Sequence, residues 1–184
     1  MDTSFSQTAT PSELLVRATR GDLSAQTSLI QIYQKRVAGF VFAMIGQSHS
    51  VDDLCQMIFV RTILALPNLR NLESFEPWLW RICHNVCMSH LRKRRLAKLL
   101  IPFTLEEHDL PIVTDPATLS EWEWLQHALK RLHAKERELL ILLQEDFSYA
   151  QMAEITGTSI SSVKSRLFRA REQLKAWREN ELGK

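Results

Sequence analysis

The stretch "SYAQMAEITGTSISSVKSRLFRAREQL", residues 148–174, contains two helical patterns separated by a single glycine. Ser148, with Gln151 three residues later, has the signature of a capping box that begins a short helix. Gly157 supplies the left-handed residue that commonly follows a helix, and Ser159 can cap the next one. A helix of a simple bundle needs no such interruption. The stretch therefore predicts two helices joined by a tight turn.

The second of these helices has one apolar face and one small or basic face. Its apolar residues recur at steps of three and four, which places them on one side: Ile160, Val163, Leu167, Ala170, Leu174 and Trp177. At about 100° per residue, four other residues point outward: Lys164, Ser165, Phe168 and Arg169. A short helix, a glycine turn and a helix of this kind are typical of the helix-turn-helix, whose second helix enters the major groove of DNA. A helical hairpin with solvated charges is the alternative.

The composition predicts an all-α protein. Of 184 residues, 45% are hydrophobic and 24% charged, with only 5 Gly and 6 Pro, and the apolar residues recur mainly at helical spacing. The longest apolar run, "VAGFVFAMIG" at 37–46, is about half of the ~20 residues that a membrane helix requires. The opening "MDTSFSQTAT" lacks the basic start and apolar core of a secretory signal. We expect a cytoplasmic protein without direct membrane insertion.

Charge and proline content predict two small helical domains joined by an acidic linker. Basic residues concentrate in 51–100 and 148–184, and acidic residues concentrate between them. Residues 101–123 contain six acidic residues, no Lys or Arg, and three prolines, which interrupt helices. We expect an N-terminal domain at 1–98, a linker at 99–118 and a C-terminal domain at 119–184.

Two segments of the N-terminal domain indicate binding surfaces. The segment "SVDDLCQMIFVRTILALP", 50–67, is apolar most of the way round a helix, so it is either central to a bundle or covered on one face by a partner. In "FEPWLWRICHNVCMSHLRKRR", 75–95, Trp78 and Ile82 share one side of a helix, whereas Trp80 and Arg81 belong to the other. Aromatic and basic residues so interleaved favour a nucleic-acid surface. A solvated helix end explains the cluster at 92–95 about as well.

The three cysteines favour a structural role over a metal or catalytic one. Cys83 and Cys87 lie one helical turn apart, but His84 points about 100° away from Cys83, and no second pair of ligands is near in sequence. We therefore expect buried thiols and no metal, cofactor or catalytic residue. An enzyme that uses Cys83, His84 and Cys87 is the alternative.

Three segments together resemble the extracytoplasmic-function sigma factors of the sigma-70 family. "SYAQMAEITGTSISSVKSRLFRAREQLK" is similar to region 4, and "DDLCQMIFVRTI" and "FEPWLWRICHNVCMSHLRKRR" are similar to region 2, in the family's order. The resemblance implies a non-enzymatic transcription initiation factor that binds promoter DNA and the β′ clamp helices and β flap of core RNA polymerase. It also implies control by an anti-sigma factor, which would hold the protein at the inner membrane where that factor is membrane-bound. A helix-turn-helix regulator that does not replace sigma is the runner-up.

The resemblance assigns three groups of residues. Polymerase binding falls to Asp52, Asp53, Gln56 and Phe59. Recognition and melting of the minus-ten element fall to Leu69, Arg70, Asn71, Ser74, Phe75, Trp78, Trp80, Arg81, Asn85, Ser89 and Arg92. Contact with the minus-thirty-five element falls to Ser161, Ser162, Lys164, Ser165, Phe168 and Arg169. The acidic linker is either an occupant of a basic channel in the polymerase or merely solvated.

Overall fold

The computed structural model describes residues 11–46, 49–100 and 120–182. Within these ranges every regular element is helical, which confirms the all-α prediction. The helices are α1 (Pro11–Thr19), α2 (Leu23–Ile45), α3 (Ser50–Ala65), α4 (Phe75–Leu100), α5 (Glu121–Arg131), α6 (Ala134–Gln144), α7 (Tyr149–Thr156) and α8 (Ile160–Leu182). Two 3₁₀ turns, Leu66–Asn68 and Leu72–Ser74, connect α3 to α4.

The N-terminal half is a bundle of α1 to α4, in which successive helices pack against one another. Asp22 begins α2 by accepting a hydrogen bond from the amide of Ala25 at 3.1 Å, which satisfies one of the free amides of a first turn. Gly46 ends α2 with a φ of 83°. Phe40, Ile58 and Leu79 come from three different helices and are fully buried in this bundle.

The C-terminal half folds as its sequence predicts. Ser148 and Gln151 form the capping box of α7, and Gly157 follows with a φ of 62°, in the left-handed region. The amide of Ser162 donates to Ser159 Oγ at 3.2 Å, as expected for a cap of α8. Of the apolar face of α8, which packs against α6 and α7, Val163, Leu167 and Ala170 are buried, Leu174 and Trp177 are half-buried, and Ile160 is exposed. The two helices of the predicted helix-turn-helix are thus α7 and α8.

The two halves pack directly against each other. Helix α4 contacts α7, and α2 contacts α5 and α6, so residues from both halves belong to one hydrophobic core. At the junction the ring of Trp80 lies between Phe40 and Phe147, with centroid distances of 5.0 and 6.0 Å. These edge-to-face arrangements are favourable for aromatic rings.

The boundary between the halves lies largely outside the described residues. Helix α4 continues to Leu100, so the first two residues of the expected linker are helical. Residues 101–118, the rest of that linker, are not among those described. Ser120 caps α5 through a capping box with Glu123, close to the start expected for the C-terminal domain. The division into two domains stays a prediction.

Candidate nucleic-acid interface

The outward face of α8 carries the residues expected to contact the upstream promoter element. Lys164, Ser165, Phe168 and Arg169 are exposed, and Phe168 has 66% of its surface accessible. An aromatic ring that remains so exposed next to basic groups is available to stack on or pack against a ligand. Ser161 is also exposed and Ser162 is half-buried, both in the first turn of α8. All six residues lie on or beside one accessible helix face.

Arg169 has a protein partner within this surface. Its Nε lies 3.4 Å from Oε1 of Glu136, a residue of α6 that is largely buried. The Arg169 side chain is 60% exposed, and ion pairs of exposed side chains contribute little to stability. The guanidinium therefore remains available to DNA at low energetic cost.

The strip along α4 comprises residues at helical steps of three and four: Trp78, Arg81, Asn85, Ser89 and Arg92. Arg81, Asn85 and Arg92 are exposed, and Trp78 and Ser89 are half-buried. This spacing places them along one side of the helix. The structure thus brings five of the predicted minus-ten residues onto one surface.

Trp80 does not belong to that surface. It is fully buried between the two halves of the chain, because it lies about 200° round the helix from Trp78 and so faces the core. Phe75 is also buried, with its ring 5.4 Å from that of Tyr33. In this arrangement neither ring is accessible to DNA, contrary to the expectation from the sequence.

The loop before α4 is held in shape by its own polar groups. Asn71 accepts a hydrogen bond from the amide of Glu73 at 3.0 Å, and Ser74 Oγ donates to the carbonyl of Asn71 at 2.9 Å. Arg70 and Asn71 are exposed, while Leu69 and Ser74 are half-buried. The loop therefore presents polar and basic groups beside the α4 strip.

Helix α3 exposes an apolar strip that is not among the polymerase contacts predicted from the sequence. Leu54, Ile58 and Thr62 are buried, whereas Met57, Val60 and Leu64 are exposed on the other side. The predicted polymerase contacts flank this strip: Asp52, Asp53 and Gln56 are exposed, and Phe59 is half-buried. The sequence signal for this strip was the apolar pattern that extends round α3. In the structure, one apolar face of α3 is buried and the other is open to a partner.

Polar contacts join the halves at the junction. His84 Nδ1 of α4 lies 2.6 Å from Oε1 of Glu138 of α6, which is only 1% exposed. Arg36 Nε donates across the junction to Glu145 at 2.7 Å, and Arg36 Nη1 donates to Glu76 of its own half at 2.9 Å. These contacts link residues far apart in sequence, so no local pattern could have indicated them.

Glu76 makes the junction sensitive to acid. Burial acts to raise the pKa of this carboxyl, but hydrogen bonds from Arg36 and Tyr33 outweigh it and the pKa is lowered from 4.5. A carboxyl whose pKa is lower when folded stabilises the protein above its unfolded pKa, and that contribution is lost as pH falls through the folded value. The relevant window is thus below about pH 4.5.

We expect the thermal unfolding midpoint of Glu76→Gln to fall less steeply than that of the unmodified protein as pH decreases from about 6 to about 3. The amide cannot be protonated in this range, so its contribution does not change with pH. The exposed Glu172→Gln is the matched control and should keep the unmodified pH dependence. Calorimetry at a series of pH values measures both; equal slopes for Glu76→Gln and the unmodified protein would contradict the assignment.

The cysteines are core residues, as expected. Cys83 and Cys87 are fully buried and Cys55 is half-buried, all as free thiols. Burial raises the pKa of Cys83, and raises that of Cys87 to about 12, so the reactive thiolate form is disfavoured. His84 is held by Glu138. Within the described ranges no three His, Cys, Asp or Glu side chains are arranged to hold a metal ion.

Comparison with known proteins matches both halves to one family. The model described as Sigma-70 region 2 matches residues 29–97, and that described as Sigma-70, region 4 matches residues 122–174. The chain is 29% identical to the RNA polymerase sigma-H factor of Pseudomonas aeruginosa over 174 residues, or 88% of this chain and 90% of that one. It is 32% identical to the ECF RNA polymerase sigma factor EcfG of Rhodopseudomonas palustris over 150 residues, or 74% and 76% of the two chains.

A solved structure shows the same fold. The sigma factor RpoE of Bartonella quintana, crystallised with the anti-sigma factor NepR, superposes with a TM-score of 0.68 at 24% identity, covering 85% of this chain and 96% of that one. In the described part of this chain, none of the helices has the length and hydropathy that crossing a membrane would require.

Proposed function

Since this chain belongs to the extracytoplasmic-function sigma factors of the sigma-70 family, we propose that it directs core RNA polymerase to specific promoters and initiates transcription there. Sigma factors are DNA-binding initiation factors, so no catalytic residue is assigned. The observation that carries the proposal is the exposed face of α8, where Lys164, Ser165, Phe168 and Arg169 lie outward on the second helix of a helix-turn-helix. This face fits the major groove of the minus-thirty-five element.

Basic and polar side chains on α8 suit the reading of base edges. An arginine can donate two hydrogen bonds to guanine, and serine hydroxyls bond to several bases. Arg166 is half-buried and Arg171 exposed, and these two are assigned to the phosphate backbone, which fixes register without reading sequence. Specificity in this element then depends chiefly on Lys164 and Arg169.

We expect Arg169→Ala to weaken binding to the minus-thirty-five element by about 1–3 kcal/mol per lost base contact. Binding to core polymerase should be unchanged, because Arg169 lies on the outward face of α8 that is assigned to DNA. Lys175→Ala, which removes an exposed cation about four turns from the start of α8, is the control. Fluorescence anisotropy with a promoter duplex gives the affinity; an unchanged affinity for Arg169→Ala would show that the reading face lies elsewhere.

The α4 strip and the loop before it are assigned to the melted minus-ten element. Arg70 and Asn71 in the loop would hold an extruded base, and Arg81, Asn85 and Arg92 would hold the strand that follows. Unstacking a base costs a few kcal/mol, which binding of the extruded base offsets. Because Trp80 is buried against Phe147 of the other half, any contact between Trp80 and DNA would require the two halves to separate. Phe75 is buried against Tyr33 within the N-terminal half, so a contact between Phe75 and DNA would require a rearrangement within that half.

The outer face of α3 is assigned to the β′ clamp helices of the polymerase, and the C-terminal half to the β flap. Support comes from Met57, Val60 and Leu64, whose exposure leaves an apolar strip that begins beside the exposed polar residues Asp53 and Gln56. Apolar strips rimmed by polar groups are typical of protein interfaces. The same strip suits an anti-sigma factor, a class of partner that the similarly folded RpoE binds. The protein would then act in the cytoplasm, held at the inner membrane where its anti-sigma factor is membrane-bound.

Run-off transcription with core polymerase on genomic fragments tests the function. We expect defined transcripts that appear only when this protein is added. A parallel gel-filtration run should show co-elution with core polymerase. A protein that binds promoter duplexes but neither co-elutes with core nor yields transcripts would instead be a helix-turn-helix regulator that does not replace sigma.

A further inference from the structure

A basic cavity lies where the two halves of the chain meet. It has a volume of about 320 Å³ and is lined by the end of α2, the last third of α4, and parts of α5 and α6. Among the described residues that line it, every charged side chain is a cation: Arg94, Arg95, Lys130 and Arg137. The remaining lining is Met44, Ile45, Gly46 and Leu91. A volume of this size is within the range of small-molecule sites.

Arg137 is buried at this cavity, and none of the described residues supplies it with a counter-charge. It is only 8% exposed, and its Nε is buried with no hydrogen-bond partner. Burial lowers the pKa of the guanidinium, yet an arginine remains charged in proteins. A buried charge is costly unless it is paired. The neighbouring acids do not pair with it, because Glu136 contacts Arg169 and Glu138 contacts His84.

Arg36, a half-buried arginine at the junction, behaves differently. Arg36 is bound by two carboxylates, those of Glu76 and Glu145, as expected for a cation removed from water. Arg137 instead has three further cations around the same cavity. Lys130 lies over Gly46, where an added Cβ would be 3.9 Å from Lys130 Cε. Arg137 has no carboxylate partner among the described residues, and Arg95 and Lys130 add like charge around the same cavity, so an anion bound there would be stabilised.

We propose that this cavity binds a small ligand through an oligophosphate group, such as inorganic pyrophosphate or the phosphates of a nucleoside triphosphate. The planar guanidinium donates paired hydrogen bonds that match phosphate oxygens. A multiply charged group suits the cavity because several cations line it. A DNA duplex fits poorly, since Arg137 lies inside the cavity with 8% of its surface accessible. The apolar lining leaves room for a base beside the phosphates.

Such a ligand would join the two halves of the chain. Met44, Leu91 and Arg95 come from the N-terminal half, and Lys130 and Arg137 come from the C-terminal half. A ligand that contacts both stabilises the packed arrangement by mass action. This inference goes beyond promoter recognition, and its test requires no polymerase.

Isothermal titration calorimetry of the full chain with sodium pyrophosphate, ATP and adenosine is the direct experiment. We expect saturable binding of one pyrophosphate or ATP per chain, no binding of adenosine, and a raised unfolding temperature. Lys130→Gln and Arg137→Gln should each weaken binding about tenfold or more, the size of a lost charge-assisted hydrogen bond. Arg20→Gln, the same change at an exposed residue outside the cavity, should bind as the unmodified protein does. Sodium sulfate at matched ionic strength controls for screening.

The outcomes decide the proposal and the source of the phosphate. Equal affinity for pyrophosphate and ATP would identify the phosphate group alone as the part that is bound. Tighter binding of ATP would show that the cavity also binds the base. Three outcomes would overturn the proposal. The first is that neither pyrophosphate nor ATP binds saturably, and the second is that Lys130→Gln binds them as tightly as the unmodified protein. The third is that only a DNA duplex binds in a manner that depends on Lys130. Circular dichroism checks the fold of each variant. If Arg137→Gln fails to fold, Lys130→Gln decides, because Lys130 is exposed.

Discussion

Trp80→Ala is expected to lower the free energy of unfolding by about 3–5 kcal/mol, the cost of removing a buried aromatic side chain from a core. Trp80 is fully buried, with its ring between Phe40 and Phe147 and the guanidinium of Arg36 5.6 Å from its centroid. The substitution therefore leaves a cavity at the point where both halves meet. Urea unfolding followed by circular dichroism measures the loss.

Trp78→Ala is the matched control for this prediction. Trp78 is two residues away on the same helix but half-buried, so its removal should cost less than half as much. Trp80→Phe should be intermediate, since it keeps an aromatic ring and removes an indole Nε1 that has no hydrogen-bond partner. Equal losses for Trp78→Ala and Trp80→Ala would contradict the burial of Trp80 between the halves.

Val60→Asp is expected to weaken binding to core RNA polymerase by about 2 kcal/mol or more, roughly a thirtyfold rise in Kd, as for the loss of a central interface residue. Val60 is 51% exposed and lies between Met57 and Leu64 on the outer face of α3. A carboxylate there would have to lose its hydration when the partner covers the strip. The fold should be unaffected, because the side chain is open to solvent in the free protein.

Leu23→Asp is the matched control, because Leu23 is 76% exposed at the start of α2 and outside the α3 strip. Surface plasmon resonance with immobilised core polymerase gives both affinities. Wild-type affinity for Val60→Asp, with circular dichroism showing an intact fold, would place the polymerase contact on another surface. An anti-sigma factor that uses the same strip should lose affinity for Val60→Asp as well.

Local rules were sufficient wherever a feature depends on neighbours in sequence. The capping box of Ser148 and Gln151, the left-handed Gly157 and the buried face at Val163, Leu167 and Ala170 all follow from spacing within a few residues. The outward position of Phe168 and Arg169 follows from the same helical period. This is why the caps of α7 and α8, the turn between them and the outward face of α8 agree with the prediction.

Helix α3 shows where local rules stop. Its apolar residues extend round the helix, and that pattern is compatible with a central helix or with a partner on one side. The fold decides between them by packing Leu54, Ile58 and Thr62 inward and leaving Val60 and Leu64 outside. The choice depends on which helices surround α3, and residues within α3 do not contain that information.

The sequence by itself determined the helical class of this protein, its helix-turn-helix and the face that α8 presents. Only the tertiary structure decided that Trp80 is a core residue, that His84 pairs with Glu138, and that Arg137 is buried among cations. The contact of Arg36 with Glu145 spans 109 residues. Helical periodicity indicates which residues share a face of a helix. Whether that face is buried depends on which elements, often distant in sequence, pack against it. For α4 the opposing surface is α7 of the other half of the chain.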